Sequence, residues 1–177
     1  MATVAALGLM GTTLVNSVVR PPDHLTLVGS RALRSPVESW LELLRERYPN
    51  TRVHVRLYGS GLAASAMADN RADAAPMSRP LNSSERAILP ANAMPVAIPV
   101  GGLPLASGHA SPLYLYVARG ASGRAAPPAI ALARIALSQR GQSEMARAGF
   151  EPLAIDRRNS ARAQLANLAN DRIDQDY

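Results

Sequence analysis

The sequence predicts a three-layer α/β domain, in which helices cover both faces of a mostly parallel sheet. Short apolar runs are found near residues 25–29, 52–57 and 73–75, and helical patterns follow the first two. Strands that alternate with helices through short connections are typical of right-handed parallel sheets. Ligands of such sheets bind outside the carboxyl ends of the strands, so we expect a functional site at that edge.

The first strand is followed by a helix with several start signals. Ser35 is a candidate N-cap, Pro36 suits the first helical position, and Glu38 completes a capping box. The apolar residues that follow recur with the helical period. We therefore expect one buried face, made of Val37, Trp40, Leu41, Leu44 and Tyr48.

The later elements are less regular. A helix is predicted from Leu62 to Asp69, a short polar helix within residues 82–89, and a return strand at residues 113–117 that joins the same sheet in either direction. Proline and glycine are too frequent for a regular helix in residues 90–112, and no strand is predicted there. Residues 127–150 predict two helices, the second with Gly149 at its C-terminal end.

Three segments are expected along the chain. Residues 1–20 are mostly apolar and uncharged, so they are either an export signal or an N-terminal arm. Residues 21–156 would form a single-lobed binding domain. Residues 157–177 would form a helical tail with a thin apolar stripe of Leu165, Leu168 and Ile173.

Composition excludes several classes of function. The 177 residues include 19 basic ones, all of them arginine, and no cysteine. Without lysine there is no Walker A loop and no Schiff-base amine, and without cysteine there is no disulfide, thiolate nucleophile or zinc-thiolate site. The net charge of +6 is spread over scattered arginines, so we expect no nucleic-acid partner.

Catalysis is also not expected. The three histidines lack metal-ligand spacing, the G-x-S-x-G elbow of hydrolases is absent, and no paired carboxylates stand near the turns. Asp73 is better suited to holding the neighbouring backbone than to acting as a base. We therefore predict a protein that is not an enzyme and needs no metal or cofactor.

Serine-bearing turns at the strand ends indicate an anion site. Ser30, Ser60 and Ser78 each stand where a strand is followed by a turn, and Ser60 is the predicted N-cap of the second helix, with Gly61 allowing close approach. Hydroxyl and backbone N–H groups at a helix N-terminus bind anions. The alternative is that these serines only cap turns, as serine does in many proteins.

Several motifs in this region resemble those of the phosphate-binding proteins of ABC-type uptake systems. They occur in the family's order as Gly29-Ser30, "PVESW" at 36–40, "YP" at 48–49, "GSG" at 59–61 and "ADAAPMSRP" at 72–80. The segments "SPLYLYVARG" and "LSQRGQSEMARAGFEPL" resemble the family's return strand and its closing segment. The resemblance implies a fold like that of type II periplasmic binding proteins.

The resemblance also implies a set of site residues. Ala32 stands where family members often have threonine, so one hydroxyl is expected to be missing. Arg31 and Arg79 are candidate auxiliary cations, with solvated surface arginines as the alternative. The implied phosphate-binding residues are Ser30, Ala32, Leu33, Ser60, Gly61 and Ser78.

This chain departs from the family in its middle. The family's second lobe, with an arginine and a Ser-Gly-Thr loop that clamp the anion, would have to fit into residues 81–112, which is too short. The loop "GASGR" at residues 120–124 is a weak candidate for a replacement clamp. A one-lobed site would lose about half of its charge-assisted hydrogen bonds, so we expect affinity in the millimolar range.

The sequence therefore leaves two functions open. The first is an exported, periplasmic solute-binding protein that binds phosphate or a similar oxyanion weakly, linked to phosphate transport through an ABC permease or completed by self-association. The alternative is an envelope interaction or scaffold protein that keeps the fold without binding a ligand.

Overall fold

The computed structural model describes residues 24–120 and 122–170, so the expected export segment 1–20 and Ile173 lie outside the described residues. The strands are β1 (His24–Val28), β2 (Arg52–Arg56), β3 (Ala74–Met77), β4 (Val96–Pro104) and β5 (Ala110–Val117). The helices are α1 (Arg34–Arg47), α2 (Gly61–Ala68), α3 (Ser83–Ala87), α4 (Pro127–Ala136), α5 (Gln139–Arg147) and α6 (Ile155–Asn170). None of the described helices is long and apolar enough to cross a membrane.

The strands form one sheet in the order β2-β1-β3-β5-β4. β1 runs parallel to β2 and β3, whereas β5 is antiparallel to both of its neighbours, β3 and β4. β4 therefore points the same way as β1, β2 and β3, and only β5 is reversed. The mostly parallel sheet and its predicted strands are confirmed, and the return strand is antiparallel.

Helices pack on both faces of the sheet, which confirms the three layers. The larger core lies between the sheet and α1, α4, α5 and α6, and the smaller core lies under α2 and α3. Trp40 is fully buried in the larger core, where its indole N–H donates to the Gly141 carbonyl at 3.0 Å. In α6, Leu165 and Leu168 are buried, as their spacing predicts.

The start and end of α1 differ from the prediction. The helix begins at Arg34, so Ser35 is not its N-cap, and a 3-10 turn (Arg31–Leu33) precedes it. The side chain that caps this continuous helical stretch is Ser30, whose hydroxyl accepts a hydrogen bond from the Ala32 amide. Because α1 ends at Arg47, Tyr48 leaves the helical face and is 41% exposed.

β4 is the strand that the sequence did not predict. It contains Pro99 and Pro104, which are tolerated because β4 is a terminal strand of the sheet. Its glycines are required by close packing. A Cβ at Gly101 would lie 2.5 Å from the Met145 side chain, and Gly102 exchanges two 2.8 Å backbone hydrogen bonds with Glu151.

β4 and β5 form a hairpin in the segment where the resemblance would place a second lobe. Residues 105–109 connect the two strands directly, with Gly108 in the left-handed conformation at φ 77°. The hairpin continues past the end of β3, because Met77 pairs with Tyr114 while residues 110–113 still pair with β4. The projection is roughly 13 Å at about 3.3 Å per residue. The described chain thus forms one lobe only.

Candidate functional site

The three serine turns lie side by side at one edge of the sheet. They follow the carboxyl ends of β1, β2 and β3, which are adjacent strands in the order β2-β1-β3. Backbone hydrogen bonds join the turns, since the Gly59 amide donates to the Gly29 carbonyl at 2.9 Å and the Ser30 amide donates to the Pro76 carbonyl at 2.7 Å. Chain topology therefore gathers serines that are far apart in sequence.

Ser30 and Ser78 are in direct contact. The buried Ser30 hydroxyl donates to the Ser78 hydroxyl at 3.1 Å and accepts from the Ala32 amide at 3.3 Å. A hydroxyl has one proton, so Ser30 has none left to offer a ligand. Ser78 is half-buried and accepts the Ser30 proton, which leaves its own proton to donate outward. Of this pair, Ser78 is the residue that can contact an anion.

Two backbone amides of the turn after β1 already form hydrogen bonds within the turn. The Leu33 amide donates to the Ser30 carbonyl at 3.3 Å, the Ala32 amide is engaged by the Ser30 hydroxyl, and the Leu33 side chain is in the core. These two amides could reach a ligand only by giving up those bonds. Arg31 is exposed and has no ion pair with any residue in the described ranges.

The turn after β2 is open. Ser60 precedes α2, but its backbone is helical (φ −62°, ψ −28°) and its side chain makes no capping hydrogen bond, so the predicted capping role is wrong. Gly61 and Leu62 are the first two residues of α2, where amides have no partner within the helix. No acidic residue lies in the first turn of α2, and no atom lies within 4 Å of a Cβ built at Gly61.

The α2 N-terminus thus presents uncommitted donors at a positive helix end. Among the described residues, neither the Ser60 hydroxyl nor the amides of Gly61 and Leu62 have a hydrogen-bond partner. The Leu62 amide was not among the predicted site groups. Its position as second residue of a helix that lacks a side-chain cap is the signal that would have identified it.

Arg79 is held by another side chain. Its guanidinium makes two hydrogen bonds to Glu85, of 2.7 and 2.6 Å, and a third to the Pro80 carbonyl. This ion pair raises the pKa of Arg79 and lowers the pKa of Glu85. Glu85 is fixed in turn by a capping box with Asn82, in which each side chain binds the other's backbone amide. Arg79 would have to leave this pair to contact an anion.

The GASGR loop cannot complete the site. Val117, at the end of β5, pairs with Ala74 at the start of β3. Gly120 and residues 122–124 therefore follow β5 at the edge of the sheet opposite the serine turns. The loop is closed by its own hydrogen bonds, from the Gly120 amide to Arg124 and from the Gly123 amide to Gly120. Its proposed role as a clamp is wrong because β5 is antiparallel.

Asp73 has the structural role expected from the sequence. Its buried carboxylate accepts a hydrogen bond from the Thr26 amide at 2.8 Å, and its own amide donates to the Thr26 carbonyl at 2.9 Å. These bonds tie the start of β3 to the middle of β1. Asp73 thus aligns the two strands whose ends carry Ser30 and Ser78.

Sequence comparisons find no matching protein-family model and no similar curated protein. Solved structures do match. A possible phosphate-binding protein from Planctomyces limnophilus aligns with a TM-score of 0.68 at 10% identity, over 82% of this chain and 98% of that one. A candidate phosphate ABC transporter substrate-binding protein with bound phosphate, from Clostridium perfringens, aligns with a TM-score of 0.55 at 8% identity, over 74% of this chain and 100% of that one.

A third structure is longer than this chain. The ABC-type phosphate transport receptor from Vibrio cholerae matches at 25% identity and a TM-score of 0.38, over 45% of this chain and 30% of that one. In contrast, the Planctomyces and Clostridium chains are covered almost completely, so neither is longer than this protein. The described domain therefore shares the fold of the Planctomyces and Clostridium proteins and forms a single lobe.

Proposed function

We propose that this protein binds phosphate or a similar tetrahedral oxyanion at the carboxyl edge of its sheet. The observation that carries the proposal is the open N-terminus of α2 beside the Ser78 hydroxyl. Its donors would be the hydroxyls of Ser60 and Ser78 and the amides of Gly61 and Leu62. Ser30 supports the site by holding Ser78, and Ala32 and Leu33 shape the turn beside it.

Hydrogen bonding and helix electrostatics both favour an anion there. Each charge-assisted hydrogen bond contributes about 1.5–3 kcal/mol, and the helix dipole adds about 0.3–1 kcal/mol. These donors come from one side of the ligand only, so water must solvate the other side. The affinity of a single chain would accordingly lie in the millimolar range.

The comparisons support this ligand class. The Clostridium structure, which is no longer than this chain, was solved with bound phosphate, so a domain of this size and fold can hold the ion. We further propose that the protein is exported and acts with an ABC permease in phosphate uptake. The N-terminal 20 residues would be its export signal.

A thermal unfolding series tests the ligand. The full chain is heated in phosphate, sulfate or chloride at equal ionic strength, with each ion at about 100 times the millimolar dissociation constant expected for a single chain. A ligand at about 100 times its dissociation constant stabilises by about 2.7 kcal/mol, which raises the midpoint by several degrees. We expect a phosphate-selective rise that is reduced in Ser60→Ala and in Ser78→Ala.

Ser160→Ala is the matched control. The exposed Ser160 hydroxyl bonds only to the Asp156 carbonyl within α6, so this variant should keep the full phosphate response. Equal midpoints in all three salts would contradict oxyanion binding.

Equal midpoints would favour the alternative function, an envelope scaffold that binds no ligand. One feature of the structure supports this alternative. Arg79 forms an ion pair with Glu85, and the backbone amides of Ser30, Ala32 and Leu33 form hydrogen bonds within the protein. A protein that had lost its ligand would satisfy its polar groups in this way.

A further inference from the structure

The two terminal strands of the sheet differ in how their outer sides are protected. β4 contains Pro99 and Pro104, and its Gly102 exchanges two backbone hydrogen bonds with Glu151. β2 contains no proline and pairs with β1 in regular register over all five of its residues. A regular, exposed terminal strand is a template for pairing with another extended chain. β2 is therefore the side of the sheet at which a further strand can be added.

The backbone groups on the outer side of β2 belong to Val53 and Val55. The Arg56 carbonyl accepts a hydrogen bond from the Gly29 amide at 3.1 Å, so the backbone of Arg56 is directed to the β1 side. Successive residues of a strand direct their backbone groups to opposite sides. The N–H and C=O groups of Val53 and Val55 thus point away from β1. None of these four groups has a hydrogen-bond partner among the described residues.

The side chains of β2 form a cationic row on one face and an apolar row on the other. Arg52, His54 and Arg56 alternate with Val53 and Val55, and the first three are all exposed. Neither arginine forms an ion pair with a residue in the described ranges. Val53 packs against the larger core, whereas Val55 is 38% exposed. A strand added here would place its residues alternately beside cations and beside valines.

A second copy of β2 does not fit this side of the sheet. Antiparallel pairing of the sequence "RVHVR" with itself sets Arg52 opposite Arg56 of the other copy. Like charges directly opposite each other destabilise a strand pair. Aspartate or glutamate at alternate positions of an added strand would instead pair with the arginines, and apolar residues between them would cover Val55. Charge complementarity therefore selects an acidic strand.

We propose that β2 is the docking strand for an extended acidic segment of a partner protein, in which aspartate or glutamate alternates with apolar residues. The backbone of the segment would bond to Val53 and Val55, and its carboxylates would lie beside Arg52, His54 and Arg56. In strand addition of this kind, backbone hydrogen bonds supply affinity and alternate side chains supply specificity. The docking surface uses none of the groups proposed to bind the oxyanion, so the two proposals stand or fall separately.

A peptide titration of the ¹⁵N-labelled full chain in chloride tests the docking strand. The probes are the synthetic peptides Glu-Val-Glu-Val-Glu and Lys-Val-Lys-Val-Lys. We expect the acidic peptide to shift the amide signals of Val53 and Val55 more than that of His54, whose amide is directed at β1. The lysine peptide should bind at least about tenfold more weakly, because its charges would repel the cationic row.

Three variants sharpen the test. Arg52→Glu combined with Arg56→Glu should reverse the preference, so that the lysine peptide binds better. Val55→Pro removes an outward amide that makes no bond to β1, so the variant should fold and bind the acidic peptide weakly. Arg45→Glu is the matched control and should keep the parent preference, because Arg45 is exposed on α1, on the other face of the sheet from the cationic row.

Equal binding of the two peptides, or larger shifts at His54 than at the outward amides, would overturn the proposal. Binding of a single-stranded oligonucleotide without binding of the acidic peptide would assign the cationic row to nucleic acid and overturn it as well. A dimer that forms without peptide and is lost in Val55→Pro would assign the strand to a second copy of this chain, against the proposal.

Discussion

The turns after β1 and β2 look alike in sequence and differ in the structure. Each has a Gly-Ser pair between a strand and a helix. The first is buried and closed, since Gly29 packs on Pro76 and Ser30 uses its amide and hydroxyl within the protein. The second is open, with no bond from the Ser60 hydroxyl to any described residue. The first turn holds the fold together, and the second is free to bind a ligand.

The largest expected effect is at Gly29. A Cβ there would lie 2.2 Å from the Pro76 carbonyl oxygen and 2.8 Å from the proline ring, so β1 and β3 would have to separate. We expect Gly29→Ala to lower the free energy of unfolding by about 3 kcal/mol. Urea denaturation measures this loss. An unchanged midpoint would mean that the two strands do not approach as closely as described.

Ser30→Ala is expected to have the next largest effect. It removes the cap on the Ala32 amide and the partner of the Ser78 hydroxyl, at a cost of about 2 kcal/mol in the free energy of unfolding. Ser60→Ala is the matched variant in the open turn. It should lower the free energy of unfolding by less than about 0.5 kcal/mol, because the Ser60 side chain makes no capping hydrogen bond that could be lost. Similar losses of unfolding free energy in the two variants would show that the turn after β2 is not open.

The turn after β3 adds a pH dependence through Glu85. Arg79 lowers the pKa of this carboxyl below the ordinary 4.5, so its stabilising contribution is present above that pH and is lost as pH falls through the lowered pKa. Glu85→Gln should lower the free energy of unfolding by about 1–2 kcal/mol at neutral pH. The variant should also lose less unfolding free energy than the parent protein as the pH is lowered, because the titrating carboxyl is gone.

Glu38→Gln provides the control for this pH dependence. Glu38 pairs with Arg34 at 3.4 Å with both side chains more than half exposed, so its removal should leave the pH profile nearly unchanged. Denaturant midpoints between neutral and acidic pH separate the two variants. Parallel profiles for the parent protein and Glu85→Gln would refute the stabilising role of the Arg79 pair.

The smallest effect on stability is expected at Gly61, where the effect on binding should be clear. The Cβ of Gly61→Ala meets no protein atom, so stability should change by less than about 0.5 kcal/mol or rise slightly. The added methyl group would stand where the anion approaches α2, and the phosphate-induced rise in melting temperature should shrink. A full phosphate response in this stable variant would place the ligand elsewhere.

Local patterns predicted most of the fold. Apolar runs and their punctuation located β1, β2, β3 and β5. Buried apolar side chains explain the runs in β1, β3 and β5, whereas β2, a terminal strand, buries none of its residues and was located by its alternating pattern alone. β4 was not predicted, because glycine and proline are typical of loops. In the structure Gly101 packs against Met145, Gly102 is hydrogen-bonded to Glu151, and the prolines are tolerated because β4 is a terminal strand. These are contacts between distant residues, which a local pattern does not contain.

The site could be predicted only in part. The sequence indicates serines at adjacent strand ends, and the structure brings Ser30 and Ser78 to 3.1 Å. It does not indicate which donors are already used, because that depends on the partner across the sheet. The Pro76 carbonyl accepts a hydrogen bond from the Ser30 amide, and the Glu85 carboxylate accepts one from Arg79. The distinction between a closed turn and an open one therefore required the tertiary structure.

The most direct test of the central claim is to observe the amides of the open turn during a phosphate titration. In ¹H–¹⁵N correlation spectra of the full chain, phosphate should shift the Gly61 and Leu62 signals most, while chloride at equal ionic strength leaves them in place. The amides of Ala32 and Leu33, engaged in the closed turn, should move less. Unchanged Gly61 and Leu62 signals, or equal shifts in both salts, would contradict oxyanion binding at the α2 N-terminus.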